Sequence, residues 1–178
     1  MAVLTFDQIQ RLSQRYALLE EQSVKSASLS DLATSVFLSY SSKDKPKLKG
    51  VIGFLKEHGA SVYVDAGDIR LPQIPSPKTA EILRGRLITC KRFVVLVSQA
   101  SYSSGWIPWE LGLADGHKGI AAVALLPISL SQELPIWATR EYLGLYKRIE
   151  FINKRWAVVA PGSSATWNLE DWISGEVR

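Results

Sequence analysis

"RFVVLVS", residues 92–98, decides how this chain folds. Phe93, Val94, Val95, Leu96 and Val97 follow one another with no polar break. A strand with one wet face alternates apolar and polar residues, whereas a strand that is apolar throughout is covered on both faces. Burial on both faces is the mark of a parallel sheet with helices above and below it. The residues on either side of this stretch agree. Upstream, "SVFLSY" at 35–40 is rich in β-formers. "KPKLKGVIGFLKEHG" places Leu48, Val51, Ile52 and Leu55 on one helical face and stops at Gly59. "ASVYVD" at 60–65 reads as a strand and "AGDIRLPQIPSP" as a long, proline-punctuated loop. "KTAEILRGRLIT" reads as a helix with Ile82, Leu83, Arg86 and Leu87 around its core edge. Downstream, a helix opens inside "SSGWIPWELGLADG", residues 103–116. A strand in "IAAVALLPI", a helix near "SQELPIWATR", a strand near "LYKRIEFI" and a short helix in "TWNLEDWI" complete the series.

Five strands alternating with helices predict an α/β fold. The expected core is a flavodoxin-like five-stranded parallel sheet, order 2-1-3-4-5, with helices on both faces. Residues 1–34 stand apart as an N-terminal helix and linker, leaving 35–178 as the domain proper. Thr5 and Gln8 form a capping box, with Leu4 and Ile9 as its staple. Phe6, Ile9, Leu12, Tyr16 and Leu19 then recur at helical spacing. That stripe must bury against the domain or against a partner chain. "EEQSVKSASLSD" follows as a polar connection.

The totals narrow the function classes. At 178 residues and a net charge of +4, the chain is one mildly basic domain, with no concentrated charge to suggest nucleic acid. One cysteine, Cys90, excludes an internal disulfide and a cysteine metal site. The two histidines, His58 and His117, are far apart, so no metal cluster is expected. The start "MAVLTFDQIQRL" lacks the pattern of a secretory signal, and the apolar run at 120–126 is far below the ~20 residues that span a bilayer. A cytoplasmic protein with no membrane partner is the expectation.

In a 2-1-3-4-5 sheet, ligands bind beyond the carboxyl ends of the strands, where the chain reverses direction. The residues following the first strand (Tyr40, Ser41), the end of the second (Asp65) and the stretch holding Trp106, Trp109 and Glu110 all fall on that edge. Ser104 reads as the N-cap of the last of these, with Pro108 in the first turn, where N–H groups lack helical partners. Trp106 and Glu110 are then four apart, on one helix face. No G-x-G-x-x-G follows the first strand and no P-loop is present, which disfavours hydride transfer. On the residues alone, Glu110 reads as a carboxylate stabilised by a helix dipole, Asp65 as a turn cap, and either indole as core.

In this order, "VFLSYSSKD", "VYVD", a proline-bearing loop, "RFVVLVS" and "SGWIPWELGLA" resemble the TIR (Toll/interleukin-1 receptor) domain over about residues 35–150. The most specific element is the W-x-x-x-E spacing, Trp106 to Glu110. The tail "WAVVAPGSSATWNLEDWI" is similar to those of small stand-alone prokaryotic TIR proteins, including those of Thoeris anti-phage systems. The resemblance implies a choice. Many TIR domains cleave NAD+ at the nicotinamide–ribose bond, releasing ADP-ribose or a cyclic ADP-ribose signal. Others only assemble with further TIR domains. Carried over by position, it makes Glu110 the catalytic carboxylate. Tyr40, Ser41, Asp65 and Trp106 become substrate-binding residues, and the segment 66–77 becomes the loop family members use for self-association. NAD+ is then a substrate, with no resident cofactor or metal. Self-association or other TIR domains, and an effector that senses the product, are the implied partners. Pro108 inside the motif, and Ser41 and Ser42 where some family enzymes carry a basic residue, depart from the family pattern.

The chemistry suits a single glutamate. Ordinary glycosides need two carboxylates because their leaving oxygen must be protonated. Nicotinamide is cationic while attached and leaves neutral, so it needs no general acid. One carboxylate near the ribose stabilises the oxocarbenium-like charge that develops there. A nucleoside deoxyribosyltransferase-like enzyme, with a similar sheet and a catalytic glutamate, is a further reading.

Overall fold

The computed structural model describes residues 1–22, 35–65, 76–133 and 141–176. Its elements run β1 (Leu4–Thr5), α1 (Phe6–Gln22), β2 (Ser35–Ser39), α2 (Leu48–Glu57), β3 (Ser61–Tyr63), α3 (Pro77–Thr89) and β4 (Arg92–Val97). Then follow α4 (Trp106–Lys118), β5 (Val123–Ser129), β6 (Lys147–Ile152), β7 (Arg155–Val159), β8 (Thr166–Asn168) and α5 (Leu169–Ser174). Short 3-10 turns at Ser42–Lys47, Ser101–Ser103, Ile120–Ala122 and Glu141–Leu145 link them. The linker after α1, the loop residues Ile69, Leu71 and Ile74 with most of 66–77, and most of the helix expected near 131–140 lie outside the described residues. The side chain of Leu19 does too.

The sheet has the order β3-β2-β4-β5-β6-β7-β8. Its first five strands are parallel neighbours and reproduce the expected 2-1-3-4-5 arrangement. The strand count is corrected from five to eight. β7 and β8 add an antiparallel extension, and β1 pairs with the carboxyl end of β5. The β6–β7 hairpin turns through Asn153 and Lys154, both at positive φ (51° and 63°). That is the geometry of a two-residue type I′ turn, whose usual signal is a glycine. None stands here, so the residues after 152 read as a tail.

Period-two alternation sorts the core into two layers. Val36, Leu38, Val94, Leu96, Ala124 and Leu126 pack against α1, α2 and α5. Phe37, Phe93, Val95, Val97, Val123 and Leu125 pack against α3 and α4. β4 is buried along its whole length, as its unbroken apolar run requires.

The N-terminal stripe buries against the domain itself. Thr5 N–H donates to Gln8 Oε1 at 2.8 Å and Gln8 N–H to Thr5 Oγ1 at 3.3 Å, which closes the capping box. Helix α1 lies close on α2 because two glycines make room. A Cβ at Gly50 would collide with the backbone carbonyl of Ile9, and one at Gly53 would press on the Tyr16 ring. Gly50→Ala is therefore expected to cost about 1–3 kcal/mol by displacing α1. Gly85→Ala meets no atom within 4 Å inside α3 and should stabilise by about 0.4–1 kcal/mol. Urea denaturation of the pair checks both signs.

Candidate active site

The site is assembled at the carboxyl ends of β2, β3 and β4. Helix α4 begins one residue later than expected. Gly105, not Ser104, is its N-cap, while the Ser104 hydroxyl still accepts the Ile107 N–H at 3.4 Å. Pro108 sits in the first turn, where its missing N–H costs no helical bond. Ile107, Leu111 and Ala114 face the sheet and are buried, and Glu110 is carried inward with them to 6% exposure.

Buried this way, Glu110 meets Ser39. The Ser39 hydroxyl donates to Glu110 Oε2 at 2.5 Å. Burial pushes the Glu110 carboxyl up from its ordinary value to about 7. The hydrogen bond from Ser39 pulls it down, and the negative charge of Asp65 pushes it up again. Asp65 follows β3, and its Oδ1 is buried without a hydrogen-bond partner among the described residues. A buried carboxylate oxygen left open beside a second carboxyl is an acceptor for a ligand hydroxyl.

The other expected site residues are placed differently. Tyr40 packs against the α1/α2 layer, on the face of the sheet away from α4. Ser41 is buried, and its carbonyl accepts the Asp44 N–H at 2.7 Å to start the following turn. Trp106 is 41% exposed and meets Trp109 edge-on, with ring centroids 5.5 Å apart. Trp109 is partly buried against the α3/α4 layer, so one indole is at the surface and the other flanks the core. His58 caps α2, with its ring bonded to the Phe54 carbonyl, and His117 is exposed. Among the described residues, no group of three His, Cys, Asp or Glu side chains could hold a metal, and no helix is long and apolar enough to cross a membrane.

Two contacts went unread in the sequence, although Ser39 falls at the switch-point edge. Ser39 had a signal: alternation puts it on the Phe37 face of its strand, the face α4 covers. Asp44 had none. It is fully buried, accepts from the Ser98 hydroxyl and takes the Lys47 ammonium at 2.8 Å, tying the loop after β2 to the end of β4.

A doubly wound α/β domain with a buried glutamate at its switch point defines the class. Residues 36–157, more than half of the chain, match the TIR domain family model, and the chain belongs to that family. A curated relative in Bacillus cereus (strain MSX-D12), named "Probable 3' cyclic ADP-D-ribose synthase ThsB'", is 42% identical over 113 residues. The aligned part is 62% of this chain and 58% of the relative, so the chain spans less than two thirds of that protein's length.

Proposed function

We propose that this protein is an NAD+ nucleosidase that breaks the nicotinamide–ribose bond and forms a cyclic ADP-ribose signal in bacterial anti-phage defence. The observation that carries the reading is the buried Glu110 carboxyl, bonded by Ser39 and set beside the open oxygen of Asp65. Membership of the TIR family and the name of the B. cereus relative support it. Glu110 is assigned as the catalytic carboxylate. As the C–N bond breaks, its electron pair goes to the nicotinamide nitrogen, which departs neutral. Positive charge grows on the ribose, and ionised Glu110 stabilises it in a site from which water is largely excluded. Asp65 is assigned to a ribose hydroxyl. Attack by a hydroxyl of the same molecule closes the ring; attack by water gives ADP-ribose. In either case the attacking oxygen loses a proton, which a carboxylate titrating near 7 is suited to accept.

Incubation of the purified protein with NAD+, with products separated by mass, tests the reading. Release of nicotinamide with a cyclic product is the expected result. Intact NAD+ together with self-association would instead favour a TIR assembly module. Trp106 is assigned to stacking on a substrate ring, because its indole is exposed on the helix that carries Glu110. Trp106→Ala should raise KM about tenfold with little change in stability. Trp109→Ala should cost about 2 kcal/mol of stability, less than a fully buried indole would. Kinetics and denaturation of both variants separate the two roles.

A further inference from the structure

The contact between β2 and α4 joins a rigid strand to the carboxylate assigned to catalysis. Ser39 is buried, and its backbone is held in register opposite Val95 of β4. Its Oγ lies 2.5 Å from Glu110 Oε2, in the range of a hydroxyl donating to an ionised oxygen. An ionised carboxylate only accepts, so the pair is satisfied when Ser39 donates and Glu110 carries the charge. We propose that Ser39 is a positioning residue of the nucleosidase site: its hydroxyl holds the Glu110 carboxylate in one orientation and in its ionised form. The proposal rests on the nucleosidase reading and extends it to a residue that does not touch substrate.

The surroundings show why such a donor is needed. Burial between α4 and the sheet favours neutral Glu110, and so does the charge of Asp65 from the end of β3. Ser39 opposes both. A serine fixed in a strand pays little entropy to hold this geometry, and a site on a regular element is more exact than one on a loop.

The test is a carbon-13 NMR titration of Glu110 in the wild type and in Ser39→Ala, Ser39→Thr and Asp65→Asn, with kcat and KM for NAD+ measured across pH. Removing a hydrogen bond to a charged group should move the Glu110 midpoint up by about one pH unit in Ser39→Ala. Ser39→Thr should restore it, and Asp65→Asn should move it down. In Ser39→Ala, a one-unit rise from about 7 cuts the ionised fraction at pH 7 about fivefold. The kcat should fall by that factor, recover by about pH 9, and leave KM nearly unchanged. A midpoint unmoved in Ser39→Ala, or a loss of kcat equal at every pH, would overturn the proposal and reduce Ser39 to a packing residue. Wild-type protein that leaves NAD+ intact while the midpoint still shifts would overturn the nucleosidase reading and uphold the Ser39–Glu110 coupling.

Discussion

Replacing Glu110 by glutamine is expected to abolish NAD+ cleavage and, at pH 8, to raise the melting temperature. The loss of activity follows from removing the charge that faces the developing oxocarbenium, on the order of 10²–10³-fold or more in kcat. The gain in stability follows from burial. Glu110 titrates near 7 in the folded chain and near its ordinary 4.5 when unfolded. Between those values the folded state binds the extra proton, so stability is full below about 4.5 and falls as pH rises through 7. At pH 8 the ionised carboxylate costs about 3 kcal/mol, which a neutral glutamine does not. The variant should therefore melt several degrees higher than wild type at pH 8, with the difference vanishing by pH 4.5. Wild-type kcat should climb with pH through about 7, because the ionised form does the work. Melting curves across pH, with turnover of both proteins, check each part. Equal melting temperatures at pH 8 would show that the carboxyl is not strained by burial.

Trp172→Ala is expected to be the most damaging core substitution, at about 3–5 kcal/mol. The Trp172 side chain is wholly buried in the layer that α5 shares with α1 and α2. Its indole N–H donates to the Ala121 carbonyl at 3.0 Å. The Arg92 guanidinium stacks over the ring at 4.9 Å, and Arg92 Nε donates to the Trp172 carbonyl at 2.5 Å. Alanine leaves a cavity and, at the start of β4, an arginine without its aromatic partner, and it strips the Ala121 carbonyl of one of its two donors, the other being Lys147 Nζ at 3.2 Å. Trp172→Phe keeps part of the volume and should lose less. The urea midpoint reads the difference directly.

Much of this architecture is legible in the residues. The unbroken run from Phe93 to Val97 announced a strand buried on both faces, and β4 is one. Thr5 and Gln8 announced the start of α1, and their reciprocal bonds are present. Gly59, at φ 85°, ends α2 where a glycine was read as a stop. These signals succeed because capping and alternation act within a few residues. The β6–β7 hairpin escaped notice because Asn153 and Lys154 adopt left-handed backbone without the glycine that usually marks it. Trp156 and Trp167 are half-buried flanks of the α1/α2 layer, brought there by that hairpin and its third strand.

The sequence by itself determined the sheet class and the alternation of buried strands with covering helices. These follow from local patterns that each segment carries alone, and the strand order was then the one such an alternation commonly adopts. Only the tertiary structure decided which side chains meet at the site. Ser39 and Glu110 are 71 residues apart, and neither announces the other. Their contact depends on the register of β2 against β4 and on the angle at which α4 crosses the sheet. The same packing turned Tyr40 to the opposite face and left Trp106 at the surface. It also raised the proton affinity of one glutamate by removing it from water, since desolvation depends on everything that surrounds a group rather than on its neighbours in the chain.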